Sequence, residues 1–140
     1  ALFKQSIKSG NITVYDGGVA WLKRVRELGI KTAVVSASKN CKRILEAADL
    51  EHLFDARVDG LVAERLNLRG KPAPDTFLKA AEMLDVEPAR AVVVEDAESG
   101  VQAGRAGSFG LVIGVDQKGS PERLRQHGAD IVVRDLGEMG

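Results

Sequence analysis

Three short segments of the chain place residues that bind phosphate and metal ions directly after apolar runs or in a proline-bounded loop. Residues 34–40 read Val-Val-Ser-Ala-Ser-Lys-Asn, so two hydroxyls and a lysine follow two valines. Residues 70–75 supply an isolated lysine between glycine and proline. In residues 92–96, three valines are followed directly by a glutamate and an aspartate. Hydroxyls, backbone amides and ammonium groups bind phosphate, whereas carboxylates bind hard divalent cations. Together the segments predict chemistry on a phosphate group, assisted by a cation.

The first segment allows two interpretations. Ser36 follows an apolar run at once, so its hydroxyl and the backbone amide of Ala37 are placed to hold a phosphoryl oxygen. Ser38, Lys39 and Asn40 would present further donors slightly farther out. The alternative is that Ser38 only caps the helix that follows, which is a common role of serine in that position.

Lys71 and the adjacent carboxylates of Glu95 and Asp96 also have a functional and a structural interpretation. Proline restricts the backbone beside Lys71, and a positioned ammonium neutralises a phosphoryl group as charge develops. Two like charges at a strand end favour a shared cation, and Mg²⁺ suits their oxygen ligands. The structural alternatives are a solvated loop lysine and a capped turn into the next helix.

Apolar runs and helical periods alternate along the chain and predict the elements that position these residues. The expected strands are residues 31–35, 56–58, 91–94, 111–115 and 131–133. The expected helices are residues 19–28, 39–48, 75–84, 100–106 and 121–127. Strands that are apolar on both faces and alternate with helices predict an α/β fold, with a Rossmann-like doubly wound parallel sheet covered by helices on both faces. Ligands bind beyond the carboxyl ends of such strands, where Ser36 and Glu95 fall.

The composition bounds the kind of protein. The 140 residues fit one domain, and the formal net charge of zero favours neither nucleic acid nor an anionic membrane as a partner. No apolar run is long enough to span a bilayer and no signal peptide is evident, so we expect a cytoplasmic protein. The single cysteine, Cys41, lies beside two cations, but a packing role is expected in preference to a reactive one.

The three segments, in this order and spacing, resemble the motifs of the haloacid dehalogenase (HAD) superfamily, and most closely its β-phosphoglucomutase-like branch. The resemblance implies that Ser36 and Lys71 are catalytic residues that hold the transferring phosphoryl group, with the amide of Ala37. It implies that the metal site contains Asp96, with Glu95 close by or acting through water, and that the cofactor is Mg²⁺. A second set of residues would hold the non-reacting phosphate of the substrate, a feature that favours a mutase: Ser38, Lys39 and Asn40.

The sequence departs from the family at its beginning. Family members start with a strand ending Asp-x-Asp, whose first aspartate is the nucleophile, and no such strand is present. Residues 1–14 resemble the last cap helix and the linker that returns to the core, and residues 15–140 resemble a partial HAD-like core. We therefore expect the C-terminal part of a longer protein, or a piece that pairs with a complementing N-terminal segment of the same protein.

The resemblance implies magnesium-dependent phosphoryl transfer on sugar phosphates in the complete parent protein, as in a β-phosphoglucomutase of carbohydrate metabolism. These residues alone are expected to be inactive, because the nucleophilic aspartate is not among them. One alternative is a HAD-type phosphatase, a hydrolase acting on a small phosphorylated metabolite. Another is a non-catalytic phosphate-binding or regulatory module.

Overall fold

The computed structural model describes residues 4–7, 12–116 and 119–134. Within them the strands are β1 (Lys4–Ile7), β2 (Ile12–Tyr15), β3 (Ala33–Val35), β4 (Ala56–Val58), β5 (Val92–Glu95), β6 (Leu111–Val115) and β7 (Ile131–Val133). The α-helices are α1 (Asp16–Glu27), α2 (Cys41–Ala47), α3 (Gly60–Leu66), α4 (Asp75–Met83), α5 (Glu98–Ala106) and α6 (Pro121–His127). No helix in this described part of the chain has the length and apolar character that a membrane crossing requires.

The strands from β3 onward run parallel, and helices connect them. β3 pairs with β4, and a second ladder has the order β5, β6, β7. Parallel neighbours need a long crossover between them, and the alternating helices supply it. The predicted α/β class, with a Rossmann-like arrangement of parallel strands and helices, is confirmed. In the described residues β3 pairs only with β4 and β5 only with β6, so each has one edge without a strand partner.

The N-terminal region differs from the expectation of a helix end and a linker. β1 and β2 form an antiparallel pair in which Lys4 lies opposite Tyr15 and Ile7 opposite Ile12. Residues 12–15 read Ile-Thr-Val-Tyr, which are all residues favoured in strands, and pairing satisfies backbone groups that a very short helix leaves open. The expected cap helix is therefore wrong at residues 4–7. Residues 1–3 and 8–11 lie outside the described residues, and the division after residue 14 stays a prediction.

The start of β3 is fixed by a polar cluster. The carboxylate of Asp55 accepts a hydrogen bond from the backbone N–H of Thr32 at 2.8 Å and from the guanidinium of Arg26 at 3.0 Å. The hydroxyl of Thr32 donates to the carbonyl of Leu53 at 2.5 Å. Because a side chain takes the N–H of Thr32, the ladder begins at Ala33, two residues later than the sequence predicts.

The helix α3 was not expected from the sequence. It follows β4 after a single residue, Asp59, whose carboxylate accepts a hydrogen bond from the N–H of Val62 at 2.9 Å and so caps the helix. Aspartate is a favoured N-cap residue, so Asp59 was a signal for the start of a helix. The helix has only seven residues, which is too short for a clear helical repeat of apolar residues. The other five predicted helices are present, with ends shifted by up to three residues.

Two apolar clusters form the core, and α4 contributes to both. Phe77 of α4 packs with Val93 and Val112 of the second ladder, and Ala80 of α4 packs with Val58 of β4. Val35, the last residue of β3, contacts both clusters. The helix α4 therefore joins the two ladders, and Val35 at the end of β3 packs against the cluster that contains Phe77.

Cys41 is the first residue of α2 and is 0% exposed. Burial, and secondarily the negative charge of Asp59, raises the pKa of Cys41 to about 11. A thiol whose folded pKa is raised stays protonated at neutral pH, so the expected packing role fits and reactivity is suppressed. We expect iodoacetamide at pH 8 to label Cys41 slowly in the native protein and rapidly in denaturant, as read by mass spectrometry. Equal labelling rates in the two states would contradict the burial.

Candidate functional site

The segment between β3 and α2 forms two successive turns closed by its own hydroxyls. The backbone N–H of Ser36 donates to the carbonyl of Val58 at 3.0 Å and continues the pairing with β4. The hydroxyl oxygen of Ser36 accepts from the N–H of Ser38 at 3.1 Å, and that of Ser38 accepts from the N–H of Asn40 at 3.0 Å. Each hydroxyl uses its oxygen as an acceptor, so its own O–H can still donate to a ligand. The N-cap of α2 is Asn40, and no side-chain cap hydrogen bond is formed there, so the alternative that Ser38 only caps the helix is wrong. The ligand role of Ser38 stays a prediction.

A glycine that the sequence analysis did not single out shapes this loop. The N–H of Gly60, the first residue of α3, donates to the carbonyl of Ser38 at 2.9 Å. A Cβ atom at Gly60 would overlap the carbonyl oxygen of Ala37 and lie 2.9 Å from Cγ of Lys39. Glycine is therefore required where α3 meets the loop. Its position directly after the helix cap Asp59 was the signal available in the sequence.

Lys71 lies in the loop before α4 and is held by two partners. Its ammonium contacts the carboxylate of Glu95 at 2.5 Å and lies 5.0 Å from the ring centroid of Phe77. The side chains of Lys71 and Glu95 are only 24% and 11% exposed. The second and third predicted segments thus meet, with a cation placed at the carboxyl end of β5. A lysine fixed by a partly buried carboxylate and an aromatic ring is a positioned charge, which the interpretation as a solvated lysine does not explain.

The carboxylate of Glu95 folds back over the beginning of α5. One of its oxygens accepts hydrogen bonds from the N–H groups of Asp96 at 3.1 Å and Ala97 at 3.4 Å, and the other contacts Lys71. A Cβ atom at Gly100, in the first turn of α5, would overlap the Glu95 side chain. Glycine at position 100 therefore leaves room for Glu95, whose two oxygens are both engaged within the protein.

The metal site predicted at Glu95 and Asp96 is incomplete in the described residues. Asp96 is exposed, whereas Glu95 is committed to Lys71 and to backbone amides. No cluster of three or more histidine, cysteine, aspartate or glutamate side chains suited to a metal occurs among the residues that the structure describes. Mg²⁺ takes six oxygen ligands in octahedral geometry, and Asp96 can supply one of them. The described residues therefore do not by themselves fit a magnesium ion, and Glu95 as a ligand stays a prediction.

Hydrophobic packing relates the Ser36 loop to Lys71 and Glu95. Val35, which directly precedes Ser36, packs against the cluster that contains Phe77 and Val93, and the ammonium of Lys71 lies over the Phe77 ring. Val35 and Lys71 therefore both lie at the apolar cluster to which Phe77 of α4 belongs. The expectation that the carboxyl ends of these strands form one site, with Ser36, Lys71 and Asp96 around the same ligand, stays a prediction.

The sequence analysis missed Arg123, a residue of α6 that reaches the loop after β5. Its guanidinium lies 3.4 Å from the carbonyl oxygen of Asp96 and 3.4 Å from the carboxylate of Asp116, which is 3% exposed. It also lies 3.9 Å from the carboxylate of Glu98. Asp116 directly follows β6, so a third carboxylate after a strand was the available signal. Arg123 supports the segment that carries Asp96.

Comparison with known proteins adds independent information. The haloacid dehalogenase-like hydrolase family matches residues 3–107 of the chain. A β-phosphoglucomutase of Mycobacterium bovis is 44% identical over 136 residues, which are 95% of this chain and 52% of that protein. A trehalose-phosphate phosphatase of Mycobacterium leprae is 39% identical over 131 residues, which are 91% of this chain and 29% of that protein. The crystal structure of β-phosphoglucomutase from Clostridium difficile superimposes with a TM-score of 0.76 and 29% identity, covering 89% of this chain and 51% of that one.

The chain thus spans about half of the length of the two β-phosphoglucomutases, and less of the phosphatase. The family match covers most of the chain and contains all three segments on which the resemblance rested. The fold of parallel strands and helices agrees with that match. The chain belongs to the haloacid dehalogenase superfamily, in its β-phosphoglucomutase-like branch.

Proposed function

We propose that the protein to which this chain belongs transfers phosphoryl groups to and from sugar phosphates as a magnesium-dependent, β-phosphoglucomutase-like mutase. The observation that carries this proposal is the contact between Lys71 and Glu95 at the carboxyl end of β5. Such a pair places a positive charge where a phosphoryl group gains negative charge during transfer. The relatives named β-phosphoglucomutase support the choice of sugar phosphates as the substrate class.

In this proposal the residues of the chain bind and orient the phosphoryl group. The O–H of Ser36 and the N–H of Ala37 donate hydrogen bonds to its oxygens, and the ammonium of Lys71 balances their charge. Asp96 contributes one oxygen ligand to Mg²⁺, which requires further ligands from outside the described residues. A magnesium ion held by Asp96 and those further ligands would neutralise part of the charge of the phosphoryl group. Catalysis of this kind depends mainly on positioning and electrostatics.

A complementing segment of the same protein completes the site in this proposal. Among the described residues, β3 and β5 each have one edge without a strand partner, and Val92 of β5 is 51% exposed. Unpaired edges are templates for another strand. A segment that pairs there and ends in an aspartate would bring a nucleophile beside Ser36 and Lys71. Its carboxylate would form a covalent aspartyl-phosphate as the bond between phosphorus and the sugar oxygen breaks, and that oxygen would take a proton and leave as a hydroxyl group. Residues 1–140 would then be inactive by themselves, and a cytoplasmic location stays our prediction.

The test is conversion of β-glucose 1-phosphate by the complete protein in the presence of Mg²⁺ and a sugar bisphosphate primer. We expect glucose 6-phosphate to form, measured with a coupled dehydrogenase, and its formation to stop when EDTA removes the metal. Failure to form glucose 6-phosphate under these conditions would reject the mutase assignment.

A second candidate is a phosphatase, because the relative from Mycobacterium leprae is named trehalose-phosphate phosphatase. The same incubation distinguishes it, since a phosphatase releases inorganic phosphate without producing glucose 6-phosphate. Binding of phosphate with neither product would instead favour a non-catalytic module. The two products are read from one reaction mixture with two detection methods, and phosphate binding is measured separately by titration calorimetry.

A further inference from the structure

The ammonium of Lys39, expected to hold the non-reacting phosphate, is occupied by a carboxylate of another element. It lies 2.8 Å from the carboxylate of Glu64 in α3. The Lys39 ammonium holds the pKa of the Glu64 carboxyl below its usual value, first through their hydrogen bond and then through charge attraction. Glu64 is therefore ionised at neutral pH and competes with any anion for Lys39.

The contact follows from the way α3 is docked. Gly60 and Glu64 are four residues apart in a helix, so they lie on the same face. Gly60 contacts the loop that contains Lys39 through its N–H bond to the Ser38 carbonyl and through its missing side chain. The cap Asp59, itself paired with Arg57 at 2.9 Å, fixes the start of the helix. Glu64 is thus aimed at Lys39 by the helix that supports the loop.

The ion pair between Lys39 and Glu64 is weak enough for an anion to replace Glu64. The side chains of Lys39 and Glu64 are 62% and 64% exposed, so water screens their attraction and the pair is weak. A phosphate dianion carries more charge than a carboxylate and offers three acceptor oxygens to the same ammonium. A bound phosphate can therefore displace Glu64, but it must do so against the competing carboxylate, which lowers its affinity.

We propose that Glu64 is a positioning residue that holds the Lys39 ammonium until the second phosphate of a sugar bisphosphate binds it. This inference rests on the proposed function, since it assigns Lys39 to the non-reacting phosphate. In a mutase the bisphosphate must leave the site at Lys39 that binds the non-reacting phosphate, so that its two phosphates can exchange places. Glu64 gives Lys39 an alternative partner during that release, and so prevents Lys39 from binding the bisphosphate too tightly.

The test is the affinity of Glu64→Gln for glucose 1,6-bisphosphate, measured by titration calorimetry on the complete protein in magnesium-free buffer. We expect the dissociation constant to fall by roughly two- to fivefold, the range that weak exposed ion pairs allow. In turnover assays KM for the bisphosphate should fall while kcat does not rise. A structural effect on the active site would instead lower kcat without tightening the ligand.

Glu46→Gln is the matched control, because Glu46 pairs with Lys42 at 4.0 Å on the neighbouring α2 with similar exposure. It makes the same change in net charge and should leave the dissociation constant unchanged. If both variants tighten binding equally, a general charge effect explains the result and the role of Glu64 is rejected.

Lys39→Ala separates this inference from the function on which it rests. Weaker bisphosphate binding in Lys39→Ala, with no change in Glu64→Gln, would overturn the role of Glu64 but support binding of the non-reacting phosphate by Lys39. Unchanged bisphosphate binding in Lys39→Ala would show that Lys39 does not bind the non-reacting phosphate. If both hold, Glu64→Gln should have no effect in the Lys39→Ala background, as a double-mutant cycle measures.

Discussion

We expect replacement of Lys71 by methionine to lower kcat of the proposed phosphoryl transfer by the complete protein by roughly 10²- to 10³-fold, the loss typical of removing one preorganised charge donor. Methionine keeps an unbranched stem that can pack on Phe77 but removes the ammonium that contacts Glu95. The negative charge that develops on the phosphoryl oxygens then lacks its fixed counter-charge. The coupled assay for glucose 6-phosphate measures the rate.

Lys79→Met is the control for this variant. Lys79 belongs to α4 and is 27% exposed, close to the 24% of Lys71, but it pairs with Glu82 on the same helix. We expect its turnover to stay near that of the unmodified protein. Turnover retained in Lys71→Met would contradict the assigned role, and an equal loss in both variants would point to net charge or folding as the cause.

Replacing Gly60 with alanine should destabilise the protein by about 1–3 kcal/mol, the usual cost of overpacking a tight contact. The added methyl group would overlap the carbonyl oxygen of Ala37, a backbone atom that cannot rotate away as a side chain can. The loop or the start of α3 must move, which disturbs Ser36 and Lys39 together. Urea unfolding gives the loss of stability, and calorimetry should show weaker binding of glucose 1,6-bisphosphate.

Gly70→Ala provides the comparison for stability. A Cβ atom at Gly70 meets no atom within 4 Å, so the same chemical change carries no steric conflict there. We expect no loss of unfolding free energy in that variant. If Gly60→Ala unfolds at the same urea concentration as the unmodified protein, the contact with Ala37 does not constrain the loop.

Local patterns were sufficient for the strands β3 to β7 and for the residues at their ends. Valine-rich runs placed β5 and β6 to within one residue, because apolar β-branched residues favour strands that are covered by helices. The position of Ser36 after β3 and of Glu95 at the end of β5 followed directly from those runs. The contact between Lys71 and Glu95 joins the second and third segments, which the sequence predicted to act on one phosphate group.

Contacts between distant segments could not be predicted in the same way. Glu64 lies 25 residues beyond Lys39, and nothing local indicates which cation an exposed glutamate will meet. The engagement of Glu95 by Lys71 and two amides depends on the fold of the loop and on the absence of a side chain at Gly100. The pairing of β1 with β2 overrode the helix that the family resemblance implied.

The polar cluster at the start of β3 has a consequence for the opposite end of that strand. β3 is three residues long, so Thr32 lies only about 10–15 Å from Ser36 along the chain. Side chains alternate between faces in a strand, and a slip of one residue would turn the Ser36 hydroxyl away from the phosphoryl group that we propose it binds. The bonds from Asp55 to Thr32 and Arg26 lock the register against such a slip. The ion pair between Arg26 and Asp55, at the other end of β3, thus helps to fix the face to which the Ser36 side chain points.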